Sequence, residues 1–352
     1  MPTPLPPPIA GRSTSAGALV QPPPVTPDYL RDWGKHTHGS PLYAHLVEVV
    51  AEDTDLLRVI NRIGNRPPPN LLFAAVQYLL MDGADSDLAR HYPSLVEDPL
   101  GPEGAGPSFR QFVLAHEEEI VHLGNTRYTQ TNECRRCVAL LPMVMMAPFD
   151  RFHLVDVGTS AGLNLALDRY RYRFGHLEWG PESPVVLTAE SRGADPSLHG
   201  LEVLSRTGLD LNPLDPGDEE ARRWLDALIW PEHEERRDRL RRALAIIEET
   251  RIEMIRGDAL ATLPRVLDSL PGDEPAVVMN SFAVAQLSPA GRQEIEAIAN
   301  RARERRPVFR AAMELFDASD DWARMVADDG TGARVVGQAH PHGEWIALSG
   351  PG

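Results

Sequence analysis

The chain has 352 residues, is 42% hydrophobic and carries a formal net charge of -16. This length supports a substantial hydrophobic core, and the sequence contains no apolar run of the roughly 18 residues that a membrane-spanning helix requires. A strongly acidic surface repels a phosphate backbone, so we expect neither nucleic acid nor a membrane as a partner.

The N-terminal part of the chain predicts a tail and then a helical domain. Residues 1–27 are rich in proline and poor in residues that pack in a core, which predicts a disordered tail. The tail lacks the basic and then apolar pattern of a signal peptide, so we expect a cytoplasmic protein. Residues 28–150 have apolar residues at helical spacing, which predicts an all-helical N-terminal domain. Its first long helix is predicted to start at Ser40, and its third to run from Ser108 to Gly124.

From Arg151 onward, short apolar segments alternate with helical segments, as in folds built on a largely parallel sheet. We predict an α/β domain over 151–350, with an inserted β-hairpin of "YRYRF" and "PVVLTAE" near 170–206 and a terminal β-hairpin at "ARVVGQAHPHGEWIAL". The other predicted strands are "FHLVDVG", "TGLDLNP", "RIEMIRGDA", "AVVMNSF" and "VFRAAMELF".

The segment "VDVGTSAGLN" joins the first predicted strand to a helix through a turn that contains Gly158, Ser160 and Gly162. In open parallel sheets such turns contact ligands at the carboxyl ends of the strands. Leu163 replaces the lysine of a P-loop, and Ser160 replaces the middle glycine of the dinucleotide motif. Asp156 would repel a pyrophosphate but attract an ammonium or sulfonium group, both of which S-adenosylmethionine carries. A tight strand–helix turn without a ligand is the alternative.

Two later strands also end in acidic residues. Asp210 can accept hydrogen bonds from both hydroxyls of a ribose, and Asp258 in "RGDA" can accept one from an adenine amino group. Each residue by itself also suits a simple turn or helix cap. Together with Asp156 and the two glycines, these acids favour a nucleoside-containing ligand.

The acid-and-glycine pattern resembles that of class I S-adenosylmethionine-dependent methyltransferases. From about Asp28 to Leu348 the chain more closely resembles a bacterial family, common in actinobacteria, that is catalogued as a domain of unknown function. Four blocks carry this resemblance: "SPLYAHL", "RYTQTNECRR", "VDVGTSAGLNLALDRYRYRFG" with "GLDLNPLD", and "AHPHGEW". The resemblance implies a Rossmann-like methyltransferase fold after the helical domain, with S-adenosylmethionine as cofactor. The implied cofactor-binding residues are Asp156, Gly158, Ser160, Gly162, Asn164, Asp210 and Asp258.

The only two cysteines, Cys134 and Cys137, form a C-x-x-C pair. A structural zinc site needs four ligands, and no second pair exists. Redox motifs of this spacing begin a helix after a strand, whereas this pair lies inside a predicted helix. We therefore predict two buried thiols and no metal, with a redox role as the alternative.

The block "RYTQTNECRR" precedes an otherwise apolar helix. A helix cap needs one polar residue, such as Thr131 or Asn132, whereas this block has several. We therefore predict that the helix covers the cofactor pocket and binds substrate, together with the polar end of "VMNSF". The predicted substrate-binding residues are Arg127, Gln130, Asn132, Arg136, Asn280 and Ser281.

His340 and His342 in "AHPHGEW" are candidates for a general base, because histidine titrates near neutrality. Two residues apart on a strand, they would face the same side. They also suit half of a metal site or an exposed turn. Glu133 is a further predicted catalytic residue, and Glu314 a weaker candidate base.

These features together predict an S-adenosylmethionine-dependent methyltransferase that acts on a small molecule. One alternative is an enzyme of the same fold that performs cyclisation or elimination in biosynthesis. The other is a non-catalytic regulatory protein that binds S-adenosylmethionine. The sequence determines neither the substrate nor the oligomeric state.

Overall fold

A computed structural model describes residues 23–35, 37, 39–84, 86–315 and 322–350. The predicted tail therefore lies outside the described residues as far as residue 22. The α-helices are α1 (Pro27–Gly34), α2 (Pro41–Glu52), α3 (Thr54–Ile60), α4 (Pro68–Met81), α5 (Ala105–Ala115), α6 (Glu117–Thr126), α7 (Cys137–Val144), α8 (Glu219–Ala227), α9 (Glu234–Glu248), α10 (Ala259–Ser269) and α11 (Pro289–Ala302). Short 3-10 helices cover Asp87–His91, Pro102–Gly104, Cys134–Arg136, Leu163–Arg169 and Val284–Gln286.

The strands all belong to one sheet. They are β1 (Arg151–Val157), β2 (Arg171–Phe174), β3 (Leu177–Trp179), β4 (Val186–Gly193), β5 (Glu202–Asp210), β6 (Glu253–Arg256), β7 (Ala276–Ser281), β8 (Val308–Glu314), β9 (Ala323–Asp328), β10 (Arg334–Ala339) and β11 (Trp345–Leu348).

The described chain divides into two compact units. The first, called the helical unit here, comprises residues 23–131 and 218–238, and the second, the sheet unit, comprises 132–217 and 239–350. The helical unit thus includes α8, which the sequence pattern assigned to the α/β domain. The predicted domain boundaries themselves stay a prediction. No described helix combines the length and the apolar content needed to cross a membrane.

Two helix predictions for the helical unit have different outcomes. The side chain of Ser40 accepts a hydrogen bond from the backbone N–H of Tyr43, as expected of the residue that caps α2. The predicted third helix was wrong in extent, because α5 and α6 are separate and meet at His116. Ser108 does not cap α5, since its hydroxyl donates to the carbonyl of Ala105. The 3-10 helix Pro102–Gly104 leads directly into α5, so the helix starts earlier than the local cap pattern indicates.

The sheet is mostly parallel, with the strand order β3-β2-β4-β11-β10-β9-β8-β7-β1-β5-β6. The strands from β6 to β8 are parallel, and the chain moves outward from β1 in both directions. Ligands of such sheets bind where the order reverses, at the carboxyl ends of the strands. This position lies between β1 and β7. All of β1 is buried except Arg151, as expected of a strand with both faces covered.

The far half of the sheet contains features that the sequence pattern did not reveal. The strand β9 was not predicted, and it joins β8 to β10 by antiparallel pairing. The strands β10 and β11 pair antiparallel, as expected of the terminal hairpin. The inserted hairpin was predicted with the wrong partner, because "YRYRF" and "PVVLTAE" form β2 and β4, which pair parallel, while β2 pairs antiparallel with the short strand β3. Through β4, which lies parallel to β11, this segment extends the same sheet.

The segment after β1 is a 3-10 helix, Leu163–Arg169, where a regular helix was predicted. Three of its carbonyl groups accept hydrogen bonds from side chains of the neighbouring strands. Tyr170 donates to Leu163, Arg206 to Leu165 and Tyr172 to Leu167. These donors compete with the backbone N–H groups that a regular helix would use. The helix prediction was therefore wrong for a tertiary reason.

Candidate functional site

The turn after β1, residues 158–162, is called the glycine turn here, and three of its residues have a left-handed backbone conformation. The angle φ is +81° at Gly158, +53° at Ser160 and +82° at Gly162. A Cβ atom on Gly158 would lie 2.3 Å from the Cβ atom of Ala283, so no side chain fits there. Ser160 adopts this conformation with a side chain, at a cost of roughly 1 kcal/mol. The turn therefore has the shape of a glycine-rich turn although its middle residue is serine.

Asn132 and Asp210 hold the glycine turn from two sides. The side-chain amide of Asn132 donates to Ser160 Oγ (2.8 Å), and its Oδ1 accepts from the backbone N–H of Ala161 (3.2 Å). One carboxylate oxygen of Asp210 accepts from the N–H of Ser160 (2.8 Å) and the other from the N–H of Asn212 (2.8 Å). Asn132, predicted to bind substrate, thus contacts the predicted cofactor turn. Each oxygen of Asp210 has a second lone pair with which to accept a ligand hydroxyl.

Asp156 is the most strongly perturbed carboxyl group at this end of the sheet. Its side chain is 1% exposed, and its Oδ2 atom has no hydrogen-bond partner among the described residues. Burial raises the pKa of Asp156 to about 7, a shift that the charge of Asp210 increases and the Thr159 side chain opposes. A buried acceptor without a donor is costly for a folded protein, and carboxyl groups with strongly shifted pKa values occur preferentially at functional sites.

Asp258 and Asn164 have simpler surroundings. Asp258 is exposed and caps α10, since its carboxylate accepts from the N–H of Leu260 (2.7 Å). This contact is the helix-cap alternative for Asp258, and it leaves one carboxylate oxygen on the solvent side. Asn164 Oδ1 accepts a weak hydrogen bond from the thiol of Cys137 (3.4 Å). Both thiols of the C-x-x-C pair are buried, and burial raises the pKa of Cys137 well above its ordinary value, so Cys137 is a poor nucleophile.

The end of β7 lies beside the glycine turn and has a buried polar network. Asn280 is 2% exposed, and its side-chain amide donates to Glu314 Oε1 (2.6 Å) at the end of β8. Ser281 is also buried. Phe282 follows with φ of +56°, an unusual value for a bulky residue. Glu314 was a candidate base, and in the structure its carboxylate accepts hydrogen bonds from this network.

Arg136 brings the polar blocks of the sheet unit together. Its guanidinium donates to the carbonyl of Pro341 (3.1 Å) and to Ser281 Oγ (3.4 Å), and it lies 4.3 Å from the ring centroid of Phe282. The backbone of Arg135 contacts Gly343, where a Cβ atom would lie 2.3 Å from the Arg135 carbonyl oxygen. The segments "NECRR", "VMNSF" and "HPHG" are therefore neighbours in space.

The two histidines lie in the turn between β10 and β11 and not on a strand, as the sequence argument assumed, but their ring centroids are 5.9 Å apart. His340 is 2% exposed, and its Nδ1 atom accepts from the backbone N–H of His342 (3.2 Å). Burial lowers the pKa of His340 below its ordinary value, although the charge of Glu344 opposes this shift. His340 is therefore neutral near pH 7, as a general base must be. The described residues include no group of three or more metal-ligating side chains placed to hold a metal ion.

The remaining predicted site residues are engaged in other contacts. Glu133 is 4% exposed and forms an ion pair with Arg239 (3.2 Å), which stabilises its charged form and disfavours its use as a base. Arg127 and Gln130 belong to the helical unit, where Arg127 donates to Glu220 (3.1 Å). Their predicted role in substrate binding stays a prediction.

A family profile described as "Uncharacterized protein conserved in bacteria (DUF2332)" matches residues 28–347. The chain belongs to the DUF2332 family. The match covers the glycine turn, the end of β7 and the turn that contains His340 and His342. All of the candidate site therefore lies within the part of the chain that matches the family. The chain matches none of the curated proteins with which it was compared.

Two residues at this end of the sheet were missed by sequence reasoning. Leu211 is 64% exposed, directly after Asp210 at the carboxyl end of β5. Its sequence context could have revealed it, because an apolar residue between two polar turn residues is unusual. Phe282 had no local indication, since its positive φ depends on contacts with β8.

Proposed function

We propose that this protein is an S-adenosylmethionine-dependent methyltransferase that acts on a small molecule. The observation that carries the proposal is the buried carboxylate of Asp156, whose Oδ2 atom has no partner among the described residues. A carboxylate in these surroundings attracts the ammonium or sulfonium group of the cofactor, and it repels phosphates. The acidity of the whole chain favours a small-molecule substrate over nucleic acid.

The sheet topology supports a Rossmann-like methyltransferase fold for the sheet unit. The order β6-β5-β1-β7-β8 is the 3-2-1-4-5 order of doubly wound sheets. The glycine turn lies at the switch point, the position between β1 and β7 where the strand order reverses. The residues that would hold the cofactor fit its parts. Asp210 would accept from the ribose hydroxyls, Asp258 from the adenine amino group, and Leu211 would contact the adenine ring.

The cofactor, when bound, supplies an already activated methyl group. The chain's own residues then have to orient the acceptor, exclude water and remove a proton. Arg136, Ser281 and Phe282 lie together beside the glycine turn and are suited to orient an acceptor. Neutral His340 is the candidate to take up a proton, which would bind at Nδ1 in place of the hydrogen bond from the N–H of His342. This division of roles explains why no catalytic triad is needed.

Isothermal titration calorimetry tests the cofactor proposal. We expect S-adenosylmethionine and S-adenosylhomocysteine to bind in the micromolar range, because both carry the ammonium group. Failure of both ligands to bind would contradict the proposal and would favour the alternative of cyclisation or elimination chemistry.

The same titration has an expected pH dependence. The cationic ligand binds the ionised form of Asp156, whose pKa in the unliganded protein is raised to about 7. Affinity should therefore rise by up to about tenfold per pH unit below pH 7 and level off above it. The Asp156→Asn variant should show no binding at any pH of this series, because it never carries the negative charge that the ligand pairs with. A flat profile for the unmodified protein would show that Asp156 does not contact the ligand's charge.

Leu211→Ala should weaken binding of S-adenosylhomocysteine by about tenfold, because an apolar contact with the adenine ring is lost. Protein stability should change by less than about 0.5 kcal/mol, since the side chain is 64% exposed. Val335→Ala is the matched control, because Val335 in β10 is 55% exposed. Calorimetry and thermal melts measure both effects, and equal affinities for the two variants would contradict the adenine contact.

A second candidate function is a non-catalytic protein that binds the cofactor. Two predicted catalytic residues favour it, because Glu133 is held in an ion pair and His340 is buried, and both features hinder proton transfer to a substrate. Transfer of a labelled methyl group from S-adenosylmethionine to a small-molecule fraction of a cell extract distinguishes the two functions. Transfer that depends on His340 supports the enzyme, and cofactor binding without transfer supports the regulatory protein.

A further inference from the structure

Glu314 at the end of β8 is a buried carboxylate with an unusually large set of hydrogen-bond donors. It is 3% exposed. Its Oε1 atom accepts from the Asn280 side chain (2.6 Å) and from the N–H groups of Ala283 (3.0 Å) and Val284 (2.9 Å). Its Oε2 atom accepts from the N–H of Ala285 (3.2 Å). Burial raises the pKa of Glu314, and these donors oppose the shift by stabilising the charged form.

The segment that Glu314 holds is residues 282–285, called the β7 loop here. Three successive N–H groups of this loop point at one carboxylate, so the loop bends tightly around Glu314. Phe282, at its start, has φ of +56° and donates its N–H to the carbonyl of Met313 (3.0 Å). A bulky residue in this conformation stores strain that the surrounding contacts must offset. Strain of this kind occurs most often at functional sites.

The β7 loop also supports the glycine turn. The Cβ atom of Ala283 occupies the space that a side chain on Gly158 would need. Asn280 is paired in register with Val157, the last residue of β1. A shift of the loop away from Glu314 therefore leaves Gly158 without its packing partner. Among the described residues, the hydrogen bonds of Glu314 go to Asn280 and the β7 loop, so Glu314 acts on the glycine turn through the loop.

We infer that Glu314 is a positioning residue that fixes the β7 loop and, through Ala283, the glycine turn. Phe282 is thereby presented at the switch point, where the methyl acceptor binds in the proposed function. The inference about position depends only on the contacts above, while the consequence for ligand binding rests on the proposed function. Asn280, predicted to bind substrate, donates its side-chain amide to Glu314 and so helps to hold the β7 loop in place.

Amide hydrogen exchange, measured by NMR or mass spectrometry, tests this inference in Glu314→Ala and Glu314→Gln. In Glu314→Ala we expect exchange at residues 283–285 and at the glycine turn to accelerate by at least about tenfold. Affinity for S-adenosylhomocysteine should fall by a similar factor. Glu314→Gln retains one acceptor oxygen, so it should have an intermediate effect. The glutamine variant also keeps the test valid if the alanine variant fails to fold.

Asp328→Ala is the matched control. Asp328 is a 6% exposed carboxylate at the other end of the β8–β9 pair, where it accepts from the N–H of Gly330 (2.9 Å) and pairs with Arg303. Its loss should destabilise the protein without faster exchange at the glycine turn. Equal acceleration in both alanine variants, or acceleration confined to residues 283–285, would overturn the inference.

The proposed function and the positioning role of Glu314 are contradicted by different results. If the unmodified protein binds no S-adenosylhomocysteine, the proposed function fails, while the exchange rates still decide the role of Glu314. If it binds and the Glu314 variants bind equally well with unchanged exchange, the positioning role fails and the proposed function stands.

Discussion

Asp156→Asn is expected to stabilise the protein at pH 8 while abolishing binding of S-adenosylmethionine. The folded-state pKa of Asp156 is raised from 3.8 to about 7, so folding is opposed increasingly as the pH rises through this interval. Above pH 7 the full cost applies, up to about 4 kcal/mol at roughly 1.4 kcal/mol per pH unit. Asparagine has the same shape and no charge, so it removes this cost. Chemical denaturation at about pH 4 and pH 8 measures the difference, which should vanish at the lower pH.

Asp258→Asn is the control for this experiment. Asp258 is exposed at the start of α10, and asparagine is an equally good helix cap, so stability should change by only a few tenths of a kcal/mol. A gain in stability for Asp156→Asn together with a loss of ligand affinity is expected of a residue kept for binding. Undiminished binding by Asp156→Asn at pH 8 would rule out its contact with a cationic group.

Gly158→Ala is expected to destabilise the protein by at least about 3 kcal/mol and to eliminate cofactor binding. The added Cβ atom would lie 2.3 Å from the Cβ atom of Ala283 on a residue with φ of +81°. The clash involves atoms close to the backbone, so the glycine turn and the β7 loop would have to separate. Thermal or chemical denaturation and calorimetry measure the two effects.

Two further variants separate the clash from the backbone strain. Gly175→Ala introduces a side chain at φ of +57° with nothing within 4 Å, so it should cost only about 1 kcal/mol. The double variant Gly158→Ala with Ala283→Gly removes the obstructing methyl group and should recover most of the lost stability. Simple additivity of the two single effects would mean that Gly158 and Ala283 are not in contact.

The helix expected after β1 illustrates where sequence reasoning reached its limit. The residues from Leu163 to Arg169 have ordinary helical composition, and the local pattern predicted a helix. Side chains of Tyr170, of Tyr172 in β2 and of Arg206 in β5 donate to its carbonyl groups, and these donors lie 7, 5 and 41 residues away in sequence. The turn that contains His340 and His342 was mispredicted for the same reason. The alternation in "AHPHGEW" gives no indication that this turn packs on Arg135.

Local chemistry alone determined the acid-and-glycine turn, the acids that end β5 and β6, and the alternation that predicts a parallel sheet. These features are readable because hydrophobic period, turn residues and strand ends depend on neighbours within a few positions. The tertiary structure alone decided that Asn132 holds the glycine turn, that β4 joins β11, and that Glu314 organises the β7 loop. Each of these contacts joins residues about 30 to 150 positions apart, so no local period encodes it and only packing selects it.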